Sequence, residues 1–99
     1  SDKVSSRKVT SNVFIRDVFV AEYAKRRANG RCQLCGQKAP FYNKDGKPYL
    51  ECHHIEWISE GGSDTLENTV ALCPNCHRKM HVLNLTTDKE KLRAQAKNS

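Results

Sequence analysis

Apolar and polar positions change rhythm several times along the chain, and each change marks an element. Val13, Phe14, Val18, Ala21 and Ala24 or Ala28 recur at helical spacing. Lys25, Arg26 and Arg27 load the C-terminal end of this stretch, where cations complement the helix dipole, and Gly30 can stop it. The pattern predicts a helix from about Phe14 to Ala28, preceded by a polar, aperiodic arm or linker end over Ser1 to Ser11. Asn43-Lys44-Asp45-Gly46-Lys47-Pro48 is a turn cluster, and Tyr49 to Ile55 reads as a strand. Glu60-Gly61-Gly62-Ser63-Asp64 marks a second loop and Thr69 to Leu72 a short apolar strand. Pro74 suits the first turn of a helix running to about Val82. A last helix is expected from Asp88 to about Ala96, with Thr87 and Glu90 as a capping box. Strand, long loop, strand and helix between two flanking helices describe a small α+β domain.

A chain of 99 residues buries little more than half of its unfolded surface, so a core this small calls for a disulfide, a metal or a partner. Five cysteines, an odd number, argue against a closed disulfide set. The sequence contains neither a secretory segment nor an apolar run of membrane-spanning length. A soluble, cytoplasmic chain is expected, in which thiols stay reduced and cysteine pairs bind metal. Beginning at Ser1 without Met, it reads as a piece of a longer protein.

The net charge of +6 is unevenly spread. Lys and Arg outnumber Asp and Glu by 8 to 3 over residues 1–31 and by 6 to 2 over 77–99, whereas the middle carries 3 against 6. Basic flanks around a centre rich in cysteine and histidine suit a polyanion, because neutralised phosphates release counterions. A solvated surface that keeps a small protein soluble is the plainer reading of the same charges.

Two matched pairs, Cys32-x2-Cys35 and Cys73-x2-Cys76, lie 37 residues apart. Each pair lets two thiolates point at one ion, and together they complete the tetrahedral shell of a structural Zn²⁺. A redox pair or two disulfides would not explain the shared spacing. Cys52, inside the first strand, reads as a small buried hydrophobe. Zinc at this place would tie the end of the first helix to the start of the Pro74 helix and fix the next residue, His77.

The four histidines fall into two clusters, His53-His54 and His77-x3-His81. At i and i+4 of a helix, His77 and His81 share a face. Strand alternation sends His53 and His54 to opposite sides, so the strand must end or twist there if both serve one site. Converging titratable groups of this kind point to a metal or catalytic centre.

The stretch Leu50-Glu51-Cys52-His53-His54-Ile55, followed by Gly61-Gly62-Ser63-Asp64, Glu67-Asn68 and Ala71-Leu72-Cys73-Pro74-Asn75-Cys76-His77-x3-His81, resembles the HNH, or ββα-metal, nuclease family. The resemblance covers about Arg31 to His81, the motif core of a nuclease domain expected over residues 12–99. It implies a ββα-metal fold with a small catalytic ion distinct from the structural zinc. Ala39-Pro40-Phe41 and Gly46-Lys47-Pro48-Tyr49 also resemble HNH modules of bacterial restriction enzymes, including those that attack modified DNA. By this resemblance His54 is the general base and His53 a metal ligand, at a position where many members carry Asp. His77 is a ligand from the helix, and His81 is a further ligand or a phosphate contact. Asn68 holds the loop that bears the base.

The implied activity is divalent-metal-dependent hydrolysis of DNA to 5′-phosphate and 3′-hydroxyl ends. One ion on His53 and His77 would stabilise charge as a Lewis acid while His54 activates the attacking water. With imidazole ligands, Mn²⁺, Co²⁺, Ni²⁺ or Zn²⁺ should compete well with Mg²⁺, which prefers oxygen. The expected partner is DNA, gripped largely by its backbone through Lys25, Arg26, Arg27, Arg78 and Lys79. A recognition domain is expected elsewhere in the full-length protein, no membrane is involved, and double-strand cleavage would need a homodimer or two successive nicks. Two other classes compete: a zinc module that binds nucleic acid without cutting it, and a zinc-stapled protein-interaction domain. The first leaves the histidine clusters and Asn68 unexplained, and the second the basic flanks.

Overall fold

The computed structural model describes residues 18–97. The expected arm at Ser1 to Ser11 and the first turn of the expected helix from Phe14 lie outside them. Helix α1 spans Val18–Ala28, strand β1 Glu51–His54, strand β2 Thr69–Leu72, helix α2 Pro74–Val82 and helix α3 Thr86–Lys97. Short 3-10 turns occupy Ile58–Glu60 and Leu66–Asn68. The fold is a two-stranded antiparallel sheet followed by a helix, flanked by α1 and α3.

The strands pair Glu51 with Leu72, Cys52 with Ala71, His53 with Val70 and His54 with Thr69. Paired residues of an antiparallel ladder share a face, so Glu51, His53, Val70 and Leu72 form one side and Cys52, His54, Thr69 and Ala71 the other. On the second side α1 packs close, and the Cys52 thiol lies 3.4 Å from the carbonyl of Ala21. Cys52 is buried, as a small hydrophobe should be. On the first side Val70 and Leu72 join Cys32, Leu34, Ile55, Met80, Leu92 and Ala96 in one core, with Cys73 and Cys76 packed against it. A smaller cluster of Ala28, Leu50 and Ala71 seats α1.

Three boundaries differ from the sequence pattern: both ends of the first strand, expected at Tyr49 and Ile55 and found at Glu51 and His54, and the start of the last helix. The first strand begins at Glu51 instead of Tyr49 because the Tyr49 amide donates to Phe41 in the turn before it. In that turn Asn43 Oδ1 accepts from the amides of Asp45 and Lys47, a local bond network of the kind Asn supplies to tight turns. The last helix starts at Thr86, which places Thr87 inside it instead of at its cap. By contrast, β2 and α2 keep the expected limits. Pro74 occupies the first turn of α2 and the Cys73 thiolate position caps it by accepting from the Cys76 amide.

Arg27, expected on the DNA, instead points inward. Its guanidinium donates to the carbonyls of Thr69, Leu66 and Ala96, joining α1, β2 and α3. Burial pulls its pKa below the usual arginine value. Its side is set by the helix, since it flanks the buried Ala24 and Ala28.

Candidate active site

The Sγ atoms of Cys32, Cys35, Cys73 and Cys76 all lie within 4.8 Å of one another. Both pairs form the same turn. Cys32 Sγ accepts from the amides of Leu34 and Cys35, and Cys73 Sγ accepts from the amide of Cys76. Just past Cys35 the chain reverses through Gly36 at φ +78°, a conformation that favours glycine. Gln33 fastens this turn to β2: its amide donates to Ala71 and its side-chain carbonyl accepts from the Ala71 amide. Burial pushes the Cys32 thiol up, but amide donors from Cys35, Cys73 and Leu34 outweigh it and hold the thiol down at about 7. Burial, and then the neighbouring thiols, push Cys76 up, and burial does the same to Cys73. Four clustered sulfurs therefore resist sharing negative charge, a cost that a divalent cation removes. The donor set fits a tetrahedral Zn²⁺.

A second group forms beyond the cysteines on the same helix. His53 from β1 and His77 and His81 from α2 bring one ring nitrogen each to within 4.8 Å of the others. Nε2 of His77 and Nε2 of His81 are 3.2 Å apart, and the His53 ring stands edge-on to both at centroid distances of 5.2 and 5.1 Å. Their burial is graded: His53 is buried, His77 half-buried and His81 exposed. Burial first, and then the neighbouring His77 and Arg78, pull the His81 pKa below the ordinary histidine value and favour its neutral, ligand-competent form. Three neutral imidazoles with solvent on one side suit a transition-type divalent ion with positions left for other ligands.

His54 stands apart from this group. β1 ends at His54, which faces the opposite side of the ladder, and its Nε2 lies 2.8 Å from Asp64 Oδ1. The adjoining histidines thus reach different surroundings by simple alternation, and the loop comes back to His54. Asn68 closes that loop. Its Oδ1 accepts from the Glu56 amide at 2.8 Å, while its Nδ2 donates to the carbonyls of Glu56 and Ser63 at 3.0 and 2.8 Å. Gly62 completes the closure by its lack of a side chain: a Cβ there would sit 1.8 Å from the Glu56 carbonyl oxygen. On the far side, Glu56 pairs with Arg93 and Lys89 of α3.

Three residues of the site, Glu51, Asp64 and Trp57, were given no role from the sequence. Glu51 Oε1 lies 2.8 Å from His77 Nδ1, and its Oε2 accepts from the Tyr49 hydroxyl at 2.6 Å. The Tyr49 bond first, and then that to His77, hold the Glu51 carboxyl below the usual glutamate range. Asp64 holds His54, and the Trp57 ring stacks on His81 at 5.4 Å with planes 19° apart. The signal for Glu51 was strand alternation, which puts it on the His53 face; the other two depend on how the loop folds back.

Of the five expected phosphate contacts, Lys25, Arg26, Arg78 and Lys79 are exposed. Arg26 lies 3.9 Å from Glu22, a surface pair that costs little to exchange for a phosphate, whereas Lys79 lies 3.3 Å from the half-buried carboxylate of Asp88. Arg27 is committed to the interior carbonyls.

Residues 32–82 match the HNH endonuclease family, which is more than half of the chain. The chain belongs to that family, and its ββα architecture and enzymatic class, a nuclease, follow. Among curated proteins it is 52% identical over 69 residues to the Type IV methyl-directed restriction enzyme EcoKMcrA of Escherichia coli (strain K12), a match covering 70% of this chain and 25% of that protein. Among solved structures it is similar to the Type IV phosphorothioation-dependent restriction endonuclease ScoMcrA, with TM-score 0.72 and 30% identity over 84% of this chain and 18% of the other. The modification-dependent TagI restriction endonuclease gives TM-score 0.58 and 30% identity over 72% of this chain and 25% of the other. The chain therefore spans a quarter or less of these restriction enzymes. No helix among the described residues is long and apolar enough to cross a membrane.

Proposed function

We propose that this domain is the cleavage module of a restriction-type enzyme that hydrolyses the DNA backbone to 5′-phosphate and 3′-hydroxyl ends. The observation that carries the reading is the convergence of His53, His77 and His81 next to the point where β1 ends, at His54. When bound to the three imidazoles, a divalent ion supplies Lewis-acid stabilisation of charge on the phosphate. The rest falls to the chain's own groups. His54 accepts a proton from the attacking water at a ring nitrogen, and Asp64 restrains its ring. Asn68 keeps the loop from drifting by satisfying both backbone groups of Glu56 and the Ser63 carbonyl. The four cysteines hold a structural zinc that fixes the start of α2 and with it His77.

Lys25, Arg26, Arg78 and Lys79 supply contacts to phosphates, and base or modification recognition belongs to the remainder of a longer protein, as it would in relatives several times this length. A cysteine set of this kind, suited to zinc, fits a reducing compartment, the cytoplasm. Residues 12–99 make up the nuclease unit, and one such site cuts one strand at a time, so a dimer or two nicks are needed for a double-strand break. The test is cleavage of end-labelled duplex DNA with Mn²⁺ or Mg²⁺ added, with the ends probed by ligase and phosphatase. Ligatable nicks that depend on added ion are expected. Intact DNA bound by a zinc-loaded protein would instead favour a binding module.

A further inference from the structure

We propose that Glu51, steadied by Tyr49, is a positioning residue that fixes His77 in the one tautomer able to bind a divalent ion. The inference rests on the reading of His53, His77 and His81 as an ion site and adds a part that this site needs.

An imidazole offers a lone pair only from the ring nitrogen that carries no proton, and a neutral histidine left to itself exchanges between two tautomers. His77 is not left to itself. Its Nδ1 lies 2.8 Å from Glu51 Oε1, and an ionised carboxylate can only accept, so Nδ1 carries the proton. Nε2 is then the bare nitrogen. It is also the atom 3.2 Å from Nε2 of His81, on the side where the three rings converge. An approach this close needs a proton on His81 Nε2 or a cation between the two nitrogens.

Glu51 is itself held. Its second oxygen accepts from the Tyr49 hydroxyl at 2.6 Å, and the Tyr49 ring is stacked on Phe41 at 4.6 Å with planes 18° apart. The three residues form a chain of restraint from the turn ahead of β1 to the helix that carries the ligand. Alternation explains why β1 can do two jobs. His53 enters the site directly, and Glu51, two residues earlier on the same face, reaches across to the ring borne by α2. Glu51 lies outside the group of converging atoms, so it acts through His77 and not as a ligand. A carboxylate behind a metal-binding imidazole both orients the ring and strengthens it as a donor.

The test is ion affinity of the zinc-loaded chain, followed through Trp57. This is the chain's one tryptophan, and it stacks on His81, so Mn²⁺ or Co²⁺ arriving at the site should quench it. Glu51→Ala should raise the dissociation constant of Mn²⁺ by about 10–100-fold with zinc content unchanged. Glu51→Gln, whose carbonyl can still accept from Nδ1, should fall between it and the native chain, and Tyr49→Phe should show the smallest shift. In a His77→Ala background, Glu51→Ala should add no further loss. A merely structural role would lower the thermal midpoint without that dependence on His77. Native affinity in Glu51→Ala, or an equal penalty with and without His77, overturns the proposal while leaving the ion site intact. If Glu51→Ala does not fold, native affinity in both Glu51→Gln and Tyr49→Phe overturns it equally. A native chain that shows no ion-dependent quenching refutes the ion site and this inference together.

Discussion

The cysteine group and the histidine group meet on helix α2, where Cys76 and His77 adjoin, yet they are built for opposite ends. The cysteine group offers four donors, the number that would complete a tetrahedral zinc shell, with the hydrophobic core packed around three of its members. The histidine group offers three, and its burial falls from His53 through His77 to His81. Exposure alone does not separate them, since Cys35 also reaches the surface. The number of donors and their nature do. A filled thiolate shell holds an ion and the fold with it, whereas three neutral imidazoles leave coordination positions for water or a phosphate oxygen. The way each donor is held differs as well: amides of the same turn fix the sulfurs, and carboxylates or rings from other elements fix the histidines.

The largest effect should come from breaking the closed site. Cys76→Ser should lose the zinc and unfold the domain, because apparent zinc-binding energies of about 10–16 kcal/mol exceed or match the whole stability of a small domain. Circular dichroism with zinc analysis checks this, and a folded, zinc-free variant would erase the distinction between the two sites. Next in size, His54→Ala should lower the cleavage rate by about 10²–10⁴-fold while zinc content and ion affinity stay native. Single-turnover cleavage against ion concentration is the measurement, and excess Mn²⁺ should not restore the rate.

Asn68→Ala tests the loop that returns to His54. It removes three hydrogen bonds at once and leaves the Glu56 amide without that partner, a loss of about 1–3 kcal/mol, read as a lower thermal midpoint with the zinc retained. The smallest effects belong to single surface charges, and here α1 supplies a sharp contrast. Arg26→Ala should weaken DNA binding modestly and reduce the slope of log affinity against log salt by about 1. Arg27→Ala should leave that slope alone and lower stability instead, because its donors serve three interior carbonyls. Affinities across a salt series, paired with melting curves, separate the two.

Much of this was legible in the sequence because short-range rules govern it. The paired Cys-x2-Cys spacing, Pro74 after Cys73, and the i, i+4 placement of His77 and His81 each depend on a few neighbouring residues, and β2 and α2 came out with the limits they imply. Alternation also indicated that His53 and His54 would part. What escaped was tertiary. Whether Arg27 meets a phosphate or a carbonyl depends on Leu66, Thr69 and the end of α3 bringing their carbonyls to it, and which carboxylate stands behind His54 depends on the closure of the Gly61 to Asp64 loop. The start of the last helix moved to Thr86 because the Lys89 amide donates to the Leu85 carbonyl, a helical bond that opens the first turn ahead of the expected cap at Thr87.

Metal stoichiometry tests the central claim most directly: two sites of different character on one helix. Protein purified with zinc, passed through mild chelator and titrated with Mn²⁺, should retain one Zn²⁺ per chain and bind one Mn²⁺ reversibly. His77→Ala should abolish or greatly weaken the second without touching the first. Loss of the zinc in His77→Ala, or a native chain that takes up no ion beyond its zinc, would contradict the account.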